Sequence, residues 1–483
     1  MISLQIPTII SGYTSDWALD CLPNMSMASL YAAVKDSLGD FYESNPGTSV
    51  ALFAFMLYYL YYVKNVVRKP ELVCSNSKFR DFLLEKCPII NQEFKPTIWC
   101  AHTHAQTLLA NGIRAVIPIP QYRREFVPVD DDIPEPSLYA KSQGTNASTK
   151  SHDEARKKNA IITIDWYEGP GPTLQLPDGQ KFYAELLTKY DESTHVYQPT
   201  VSDDDGKPIA LFLPGLVGDS QTEYVRTAVT MTNSIGYKTC VFNNRGRGGI
   251  KLKTPRLYCA TNYDDLEACL KHIKLTHPNS RVVAVGLSLG GIVLCRYLAE
   301  RGKDALIDAA MLVSVCFDFQ AGCTSLEEAG LNSALNSHLT KSLIRLVEEN
   351  REVLEKSGKF NFDEVAASKN LRQFDDTFTH RIWNYKSVDD YHKDASNKDR
   401  LHLISKPTLC INAADDIFCP YPVLPLKQIE ANPMCAMLVT ARGGHIGFME
   451  GLLPYVPTFY LERVIIQYLG ALKEEKSIDG IFS

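Results

Sequence analysis

The second half of the chain alternates between short apolar runs and segments with helical periodicity. Runs such as IALFLPG, RVVAVG and MCAMLVTA are apolar along their length, and each is separated from the next by a helical pattern. Strands of this kind are typical of a mainly parallel sheet that helices cover on both faces. The pattern therefore predicts an α/β fold over residues 161–475.

One predicted strand, RVVAVG, runs directly into the sequence GLSLGG and then into a helical segment. Gly286, Gly290 and Gly291 surround Ser288 at this point. A Gly-x-Ser-x-Gly sequence between a strand and a helix is the nucleophile-elbow pattern, in which small residues permit a sharp turn that exposes the serine hydroxyl. The alternative is a glycine-rich helix start with no chemical role, and the strand before it and the helix after it favour the nucleophile.

A serine hydroxyl is a weak nucleophile at neutral pH and needs a histidine base that a carboxylate orients. The elbow pattern predicts the order serine, acid, histidine, with each residue on a loop after a strand. Asp415 and Asp416 follow the strand PTLCINA, and His445 follows the strand MCAMLVTA. We predict the triad Ser288, Asp416 and His445. Asp416 is preferred over Asp415 because the spacing in DIFCP resembles the acid loop of many α/β-hydrolases.

Two backbone N–H groups are expected to bind the oxyanion that forms when the serine attacks an acyl group. One is that of Leu289, directly after the nucleophile, and the other is that of Leu216, after the strand in LFLPGLVGDS. Gly215 and Gly218 let the backbone approach the substrate closely.

Several segments resemble the membrane-anchored α/β-hydrolase-domain proteins, over roughly residues 70–475. They are GLSLGG, NAADDIFCP, GGHIGFMEG, LFLPGLVGDS, VFNNRGRGG, HTHAQT and RQFDDTFT. That family contains phospholipases acting on medium-chain phosphatidylcholines, acylglycerol lipases and fungal ethanol O-acyltransferase/esterases. The resemblance implies the α/β-hydrolase fold, the same triad and a single N-terminal membrane anchor. The oxyanion segment differs from the histidine–glycine form common in α/β-hydrolases, because it has Pro214-Gly215.

Residues 44–63 carry no charge and follow an N-terminal tail, residues 1–43. About 17–25 apolar residues span a bilayer, so residues 44–63 are predicted to form a transmembrane helix, the alternative being a buried core helix. Four tyrosines crowd its end, and Lys64, Arg68 and Lys69 follow. We therefore expect a single-pass protein of the endoplasmic reticulum or a related endomembrane.

The basic flank predicts a cytosolic catalytic domain, although members of the resembled family are often assigned the opposite orientation. The 13 cysteines, which include no Cys-x-x-Cys pair, are interpreted as mostly reduced thiols. Two glycosylation acceptors report on the orientation, because only a lumenal one can be modified. A cytosolic catalytic domain predicts glycan on Asn24 and none on Asn146.

The remaining segments are assigned by composition. Residues 70–127 are predicted to be an N-terminal extension of the globular part, and residues 128–160 a polar surface loop. The helical material over residues 317–376 interrupts the alternation and is expected to form a lid.

Two further sequences carry basic side chains, the NNRGRGG loop and the segment with His102 and His104. The NNRGRGG loop is interpreted as structural, with head-group binding through Arg245 and Arg247 as the alternative. His102 and His104 have no partners with metal-ligand spacing. We expect no metal and no cofactor, and the absence of basic runs or zinc-finger spacing argues against a nucleic-acid partner.

These observations predict a membrane-anchored serine hydrolase that cleaves lipid carboxylic esters. A phospholipase or acylglycerol lipase with short- or medium-chain carboxylesterase activity is expected, and its partners are a lipid ester and a membrane. One alternative is an O-acyltransferase that uses the same triad, because the sequence does not show whether water or an alcohol resolves the acyl-enzyme. A second alternative is a non-catalytic scaffold on a hydrolase fold.

Overall fold

A computed structural model describes residues 46–75, 77–130, 160–170, 206–454, 459–475, 477–478 and 481 of the 483-residue chain. The chain divides into two compact units, residues 1–65 and residues 66–483.

Nine described strands of the second unit form one sheet, in the order β1-β9-β8-β7-β6-β4-β5-β3-β2. The strands are β1 Glu71–Cys74, β2 Pro120–Val129, β3 Ala160–Pro170, β4 Ile209–Leu213, β5 Lys238–Asn243, β6 Val282–Leu287, β7 Ala309–Val313, β8 Thr408–Ala413 and β9 Cys435–Thr440. The six strands from β4 to β9 are parallel to one another. The other three are antiparallel: β1 pairs with β9, and β3 pairs with β5 and β2.

The central strands are apolar along their length because the sheet is covered on both faces. Every residue of β4, β6, β7, β8 and β9 is buried. Alternate side chains of these strands enter two different cores, one on each face of the sheet. The expected α/β fold with a mostly parallel sheet is thus confirmed.

Helices connect these strands and cover the sheet. They are α1 Pro46–Tyr61 in the first unit, and α2 Lys78–Lys86, α3 Thr103–Arg114, α4 Glu223–Ser234, α5 Asp264–Thr276, α6 Leu289–Arg301, α7 Phe319–Glu327, α8 Leu331–Glu349, α9 Arg351–Leu354, α10 Phe362–Ala366, α11 Leu371–Phe374, α12 His380–Ile382, α13 Val388–Ala395, α14 Leu426–Ala431 and α15 Tyr460–Glu474 in the second. Short 3-10 turns occupy Pro88–Asn91, Ile98–Cys100, Gly302–Asp304, Glu355–Ser357, Lys398–Leu403 and Tyr421–Val423, and π turns occupy Tyr62–Val66 and Asp375–Thr379.

The long insertion between β7 and β8 consists mainly of helices and short connections, from α7 to the 3-10 turn Lys398–Leu403. It therefore continues past residue 376, the end expected for the lid. Helix α13 lies beyond the expected end of the lid. It is largely polar and only one side of it is buried, with the side chains of Tyr391, His392 and Ala395.

The first unit contributes α1, whose large apolar side chains are exposed. Val50, Leu52 and Phe55 are each about half exposed or more. The helix has 16 residues, about 24 Å at 1.5 Å per residue. Across the described parts of the chain, no helix is both long and apolar enough to cross a membrane. The transmembrane helix expected over residues 44–63 is therefore not confirmed.

Several expectations lie outside the described residues. They concern the tail over residues 1–43, most of the polar loop over residues 128–160, and the glycosylation acceptors Asn24 and Asn146.

Candidate active site

Ser288 lies between β6 and α6 in a backbone conformation that few non-glycine residues adopt. Its φ is 52° and its ψ is −119°. The Ser288 N–H donates to the carbonyl oxygen of Val313 at 2.9 Å, so the turn is tied to the neighbouring strand β7. A left-handed non-glycine residue at a strand-to-helix turn is the geometry of a nucleophile elbow.

The glycines around Ser288 are required by close packing. A β-carbon on Gly290 would lie 2.2 Å from the carbonyl oxygen of Leu213 at the end of β4. A β-carbon on Gly286 would lie 2.6 Å from the α-carbon of Gly291. Helix α6 can therefore start directly against β4 and β6 only because these positions carry no side chain.

The structure brings Ser288, His445 and Asp416 into one hydrogen-bonded chain. His445 Nε2 lies 2.8 Å from Ser288 Oγ, and His445 Nδ1 lies 2.9 Å from Asp416 Oδ2. The Asp416 side chain is fully buried, and its Oδ1 accepts a hydrogen bond from the Phe418 N–H at 2.8 Å. The Phe418 ring stacks on the imidazole with centroids 4.0 Å apart. The histidine is thus held from two sides, by the carboxylate and by the aromatic ring.

Asp415, the alternative acid, contacts the histidine loop, residues 441–449, in a different way. Its Oδ1 accepts a hydrogen bond from the Gly444 N–H at 2.9 Å. The residue is partly exposed, but its Oδ2 is buried and has no hydrogen-bond partner in the described structure. Burial raises the pKa of the Asp415 carboxyl to about 7, although the Gly444 N–H and Arg442 act in the opposite direction. Asp415 therefore anchors the backbone of the loop, whereas Asp416 reaches the imidazole.

The loop after β4 has one N–H group without an acceptor. Between Gly215 and Thr222, only the Leu216 N–H has no acceptor among the described residues. The other seven donate as follows: Gly215 to Tyr224 Oη, Val217 to Tyr258 Oη, Gly218 to Gly215 O, Asp219 to Thr222 Oγ1, Ser220 to Asn243 Oδ1, Gln221 to Asp219 Oδ1 and Thr222 to Asp219 O.

The loop also lies against the nucleophile. A β-carbon on Gly215 would lie 3.1 Å from Cβ of Ser288. The Leu289 N–H belongs to the first residue of α6 and so has no acceptor within the helix. Among the described residues, neither the Leu216 N–H nor the Leu289 N–H has a hydrogen-bond acceptor.

Helix α3, in the N-terminal extension, holds the histidine loop. Thr107 Oγ1 accepts a hydrogen bond from the His445 N–H at 2.9 Å, and Gln106 Oε1 accepts one from the Met449 N–H at 2.7 Å. Ile446 and Phe448 in the loop have positive φ values of 61° and 48°. These unfavourable conformations persist because outside contacts stabilise them.

Arg114, at the end of α3, supplies further contacts from a fully buried position. Its Nη1 donates to the Ile446 carbonyl oxygen at 2.8 Å and its Nη2 to that of Gly447 at 3.2 Å. Its Nε donates to Glu462 Oε1 of α15 at 2.7 Å, and both side chains are buried. The ion pair therefore ties α3, the histidine loop and α15 together.

The other polar sequences singled out above are engaged in structural contacts. Arg245 donates to both carboxylate oxygens of Asp265 at 2.7 and 2.6 Å and is buried, and Arg247 pairs with Asp219 at 3.0 Å. His104 Nε2 lies 2.7 Å from Asn332 Oδ1 at the start of α8. These contacts favour the structural interpretation of the NNRGRGG loop.

Three kinds of residue at this site were missed by the sequence reasoning. They are the two phenols Tyr224 and Tyr258, the α3 residues Gln106, Thr107 and Arg114, and the stacking residue Phe418. The α3 residues lie in or near HTHAQT, which carries part of the family resemblance and whose histidines were considered for metal binding. The polar residues of this segment begin an amphipathic helix. They did not indicate a partner more than 300 residues away.

The comparisons with known proteins agree with this geometry. A family model described as Serine aminopeptidase, S33 matches residues 206–423. Phospholipase ABHD3 of Homo sapiens is 33% identical over 447 residues, which cover 92% of this chain and 95% of the relative. Monoacylglycerol lipase of Saccharomyces cerevisiae is 31% identical over 261 residues, which cover 52% of this chain and 57% of the relative.

Among solved structures, the Pyrococcus furiosus esterase Pf2001 is similar at 12% identity with a TM-score of 0.38, covering 73% of this chain and 92% of the esterase. The family assignment rests on phospholipase ABHD3, whose similarity extends over 92% of this chain, and on the parallel sheet with its serine turn. The chain therefore belongs to the α/β-hydrolase family and is one of its serine ester hydrolases.

Proposed function

We propose that the protein hydrolyses carboxylic esters of lipids through an acyl-enzyme on Ser288. The observation that supports this most is the hydrogen-bonded chain from Ser288 Oγ through His445 to Asp416 Oδ2. A nucleophile, a base and an orienting carboxylate at hydrogen-bond distance are the arrangement that acyl transfer requires.

Each residue has a defined role in the proposed reaction. Ser288 Oγ attacks the ester carbonyl carbon while His445 Nε2 takes the hydroxyl proton, and Asp416 stabilises the resulting imidazolium. The N–H groups of Leu216 and Leu289 donate to the oxyanion. As the tetrahedral intermediate collapses, the C–O bond to the alcohol breaks and His445 returns the proton to the leaving oxygen. Water then attacks the acyl-enzyme by the same route and releases the fatty acid.

The lipid nature of the substrate is inferred from the relatives. Phospholipase ABHD3 resembles the chain over 92% of its length, and monoacylglycerol lipase resembles 52% of it. One relative is named as a phospholipase and the other as a lipase of monoacylglycerols. We therefore propose that the substrates are phospholipid or acylglycerol esters. Esters with short and medium acyl chains are expected to be cleaved in preference to water-soluble amides.

The test is a panel of phosphatidylcholines and monoacylglycerols with short, medium and long acyl chains, in which released fatty acid is measured. Ser288→Ala should lower turnover on the order of 10⁴-fold or more while the protein stays folded. Ser234→Ala removes another serine hydroxyl, one that donates to Met231 O, and serves as the matched control. Adding an alcohol separates hydrolysis from acyl transfer. Normal turnover by folded Ser288→Ala, or peptide cleavage without ester cleavage, would contradict the proposal.

We further propose that α1 associates with lipid surfaces. The exposed fractions of Leu52 and Phe55 in this helix are 49% and 60%. Apolar side chains exposed along a helix can bury themselves at the boundary between the lipid head groups and the acyl chains. Leu52→Glu with Phe55→Glu should reduce flotation of the full chain with phosphatidylcholine vesicles. Leu275→Glu, at a 74% exposed leucine of α5, is the control and should float normally. Equal flotation of both variants would contradict this proposal.

A further inference from the structure

The loop after β4 is held by two tyrosine hydroxyls that approach it from different parts of the fold. Tyr224 lies at the start of α4, and Tyr258 lies in the connection that precedes α5. Tyr224 Oη accepts a hydrogen bond from the Gly215 N–H at 2.9 Å, and Tyr258 Oη accepts one from the Val217 N–H at 3.0 Å. The two phenols therefore bind the N–H groups on either side of Leu216.

This arrangement has a consequence for the group between them. With the neighbouring N–H groups committed to phenols, the Leu216 N–H has no acceptor within the described structure. Val217 has a φ of 58°, a left-handed conformation that is unfavourable for a β-branched residue. Holding an uncommitted donor in one direction in advance is the basis of oxyanion stabilisation, because no reorganisation is then needed during the reaction.

Both hydroxyls are suited to this task because they lie inside the protein. Tyr224 and Tyr258 are both buried, with 8% and 6% of their surface exposed. Burial raises the pKa of both phenols above the ordinary value, so each is a neutral hydroxyl across the physiological pH range. A buried hydrogen bond of this kind does not compete with water and therefore fixes the backbone.

We propose that Tyr224 and Tyr258 are positioning residues that orient the Leu216 N–H toward the oxyanion of the transition state. The proposal rests on the acyl-enzyme function proposed above and adds to it two side chains that do not touch the substrate. A phenol that only stabilised the fold would affect stability. A phenol that positions the donor affects transition-state binding instead.

The test uses Tyr224→Phe and Tyr258→Phe, which delete only the hydroxyl. Tyr297→Phe is the matched control, because Tyr297 Oη accepts a backbone N–H from Leu306 at 2.8 Å in a buried position on α6. Titration of the active site with a fluorophosphonate, carried to completion, gives the concentration of folded sites. Because kcat is calculated per folded site, an unfolded fraction does not lower it.

Removing one oxyanion donor lowers kcat by about 10²–10³-fold in a well-studied protease, and a displaced donor is expected to cost less. Each phenylalanine variant should lower kcat on the order of 10- to 100-fold, with KM changed by no more than about twofold. The inhibition constant of a trifluoromethyl ketone, whose serine adduct carries an oxyanion, should rise by a factor similar to the loss in kcat. Tyr297→Phe should leave both quantities unchanged.

The possible outcomes separate this proposal from the function on which it rests. If the wild-type chain cleaves esters but either variant keeps the wild-type kcat and ketone inhibition, positioning by that phenol is wrong and the acyl-enzyme function stands. The same holds if Tyr297→Phe loses as much activity as the two variants. If wild-type protein cleaves no ester and Ser288 is not labelled, both proposals fail together.

Discussion

Replacing Thr107 by valine tests whether α3 takes part in positioning the catalytic histidine. Valine has nearly the shape of threonine but lacks the hydroxyl. The Thr107 hydroxyl accepts the His445 N–H at 2.9 Å and donates to the Thr103 carbonyl oxygen at 2.8 Å. The substitution therefore leaves the histidine N–H without its acceptor while changing the packing very little.

The expected magnitude follows from the cost of an unpaired donor. A buried donor that loses its partner costs about 1–3 kcal/mol. Thr107 is half-buried, so water can reach part of the site and the lower half of this range applies. We assume that this free energy destabilises the conformer in which His445 faces Ser288. Each 1.4 kcal/mol of such destabilisation then corresponds to about a tenfold decrease in kcat. The lower half of the range, about 1–2 kcal/mol, therefore predicts that Thr107→Val lowers kcat by roughly five- to thirtyfold.

The measurement is kcat for a medium-chain p-nitrophenyl ester, together with urea unfolding of the same proteins. Thr227→Val is the control, because the Thr227 hydroxyl donates to the Glu223 carbonyl oxygen one turn earlier in α4 and does not contact the histidine loop. It should lose stability without losing kcat, whereas Thr107→Ser, which keeps the hydroxyl, should recover most of the activity. An unchanged kcat in folded Thr107→Val would refute the positioning role of α3.

Two further predictions concern buried charges near the same loop. Arg114→Met leaves the Glu462 carboxylate buried without its cation. Breaking such a pair is expected to lower the free energy of unfolding, measured with urea, by about 3–5 kcal/mol. A loss below about 1 kcal/mol would contradict this prediction. Burial raises the pKa of Asp415 from 3.8 to about 7, so its contribution to stability is fully present below pH 4 and is lost as pH rises through 7. Asp415→Asn, which keeps the acceptor for the Gly444 N–H, should therefore lose less stability than wild type between pH 4 and pH 7, and identical pH profiles would argue against a buried neutral carboxyl.

The parts of the fold that could be predicted from sequence are those with local causes. Strands β4 to β9 lie between two layers of helices, so their residues are largely apolar and buried and the runs stand out. The turn at Ser288 is local as well, because Gly286 packs against Gly291 within the same turn. Serine, acid and histidine follow strands β6, β8 and β9, in the chain order that the elbow pattern predicts.

The choice between the two aspartates depends on information that the sequence does not carry. Asp415 and Asp416 are adjacent after the same strand, and both reach the histidine loop. Only the direction of each side chain distinguishes the contact with the Gly444 N–H from the contact with His445 Nδ1. The spacing in DIFCP favoured Asp416 by resemblance, without a physical reason for the direction.

The contribution of residues 70–127 to the sheet could not be anticipated from the sequence. Strand β1 pairs antiparallel with β9, and β2 pairs with β3 at the other edge. Antiparallel pairings between distant segments leave no periodicity that identifies the partner. The same applies to Thr107 and His445, which lie 338 residues apart in the chain.

The most direct test of the account is to locate the acyl group on the enzyme. Wild-type protein is mixed with a medium-chain p-nitrophenyl ester, quenched in acid within the first turnover, digested and analysed by mass spectrometry. The account predicts that the peptide containing Ser288 gains the mass of the acyl group, and that Ser288→Ala shows neither this adduct nor the burst of p-nitrophenol. An acyl group on another residue, or an undiminished burst from Ser288→Ala, would contradict it.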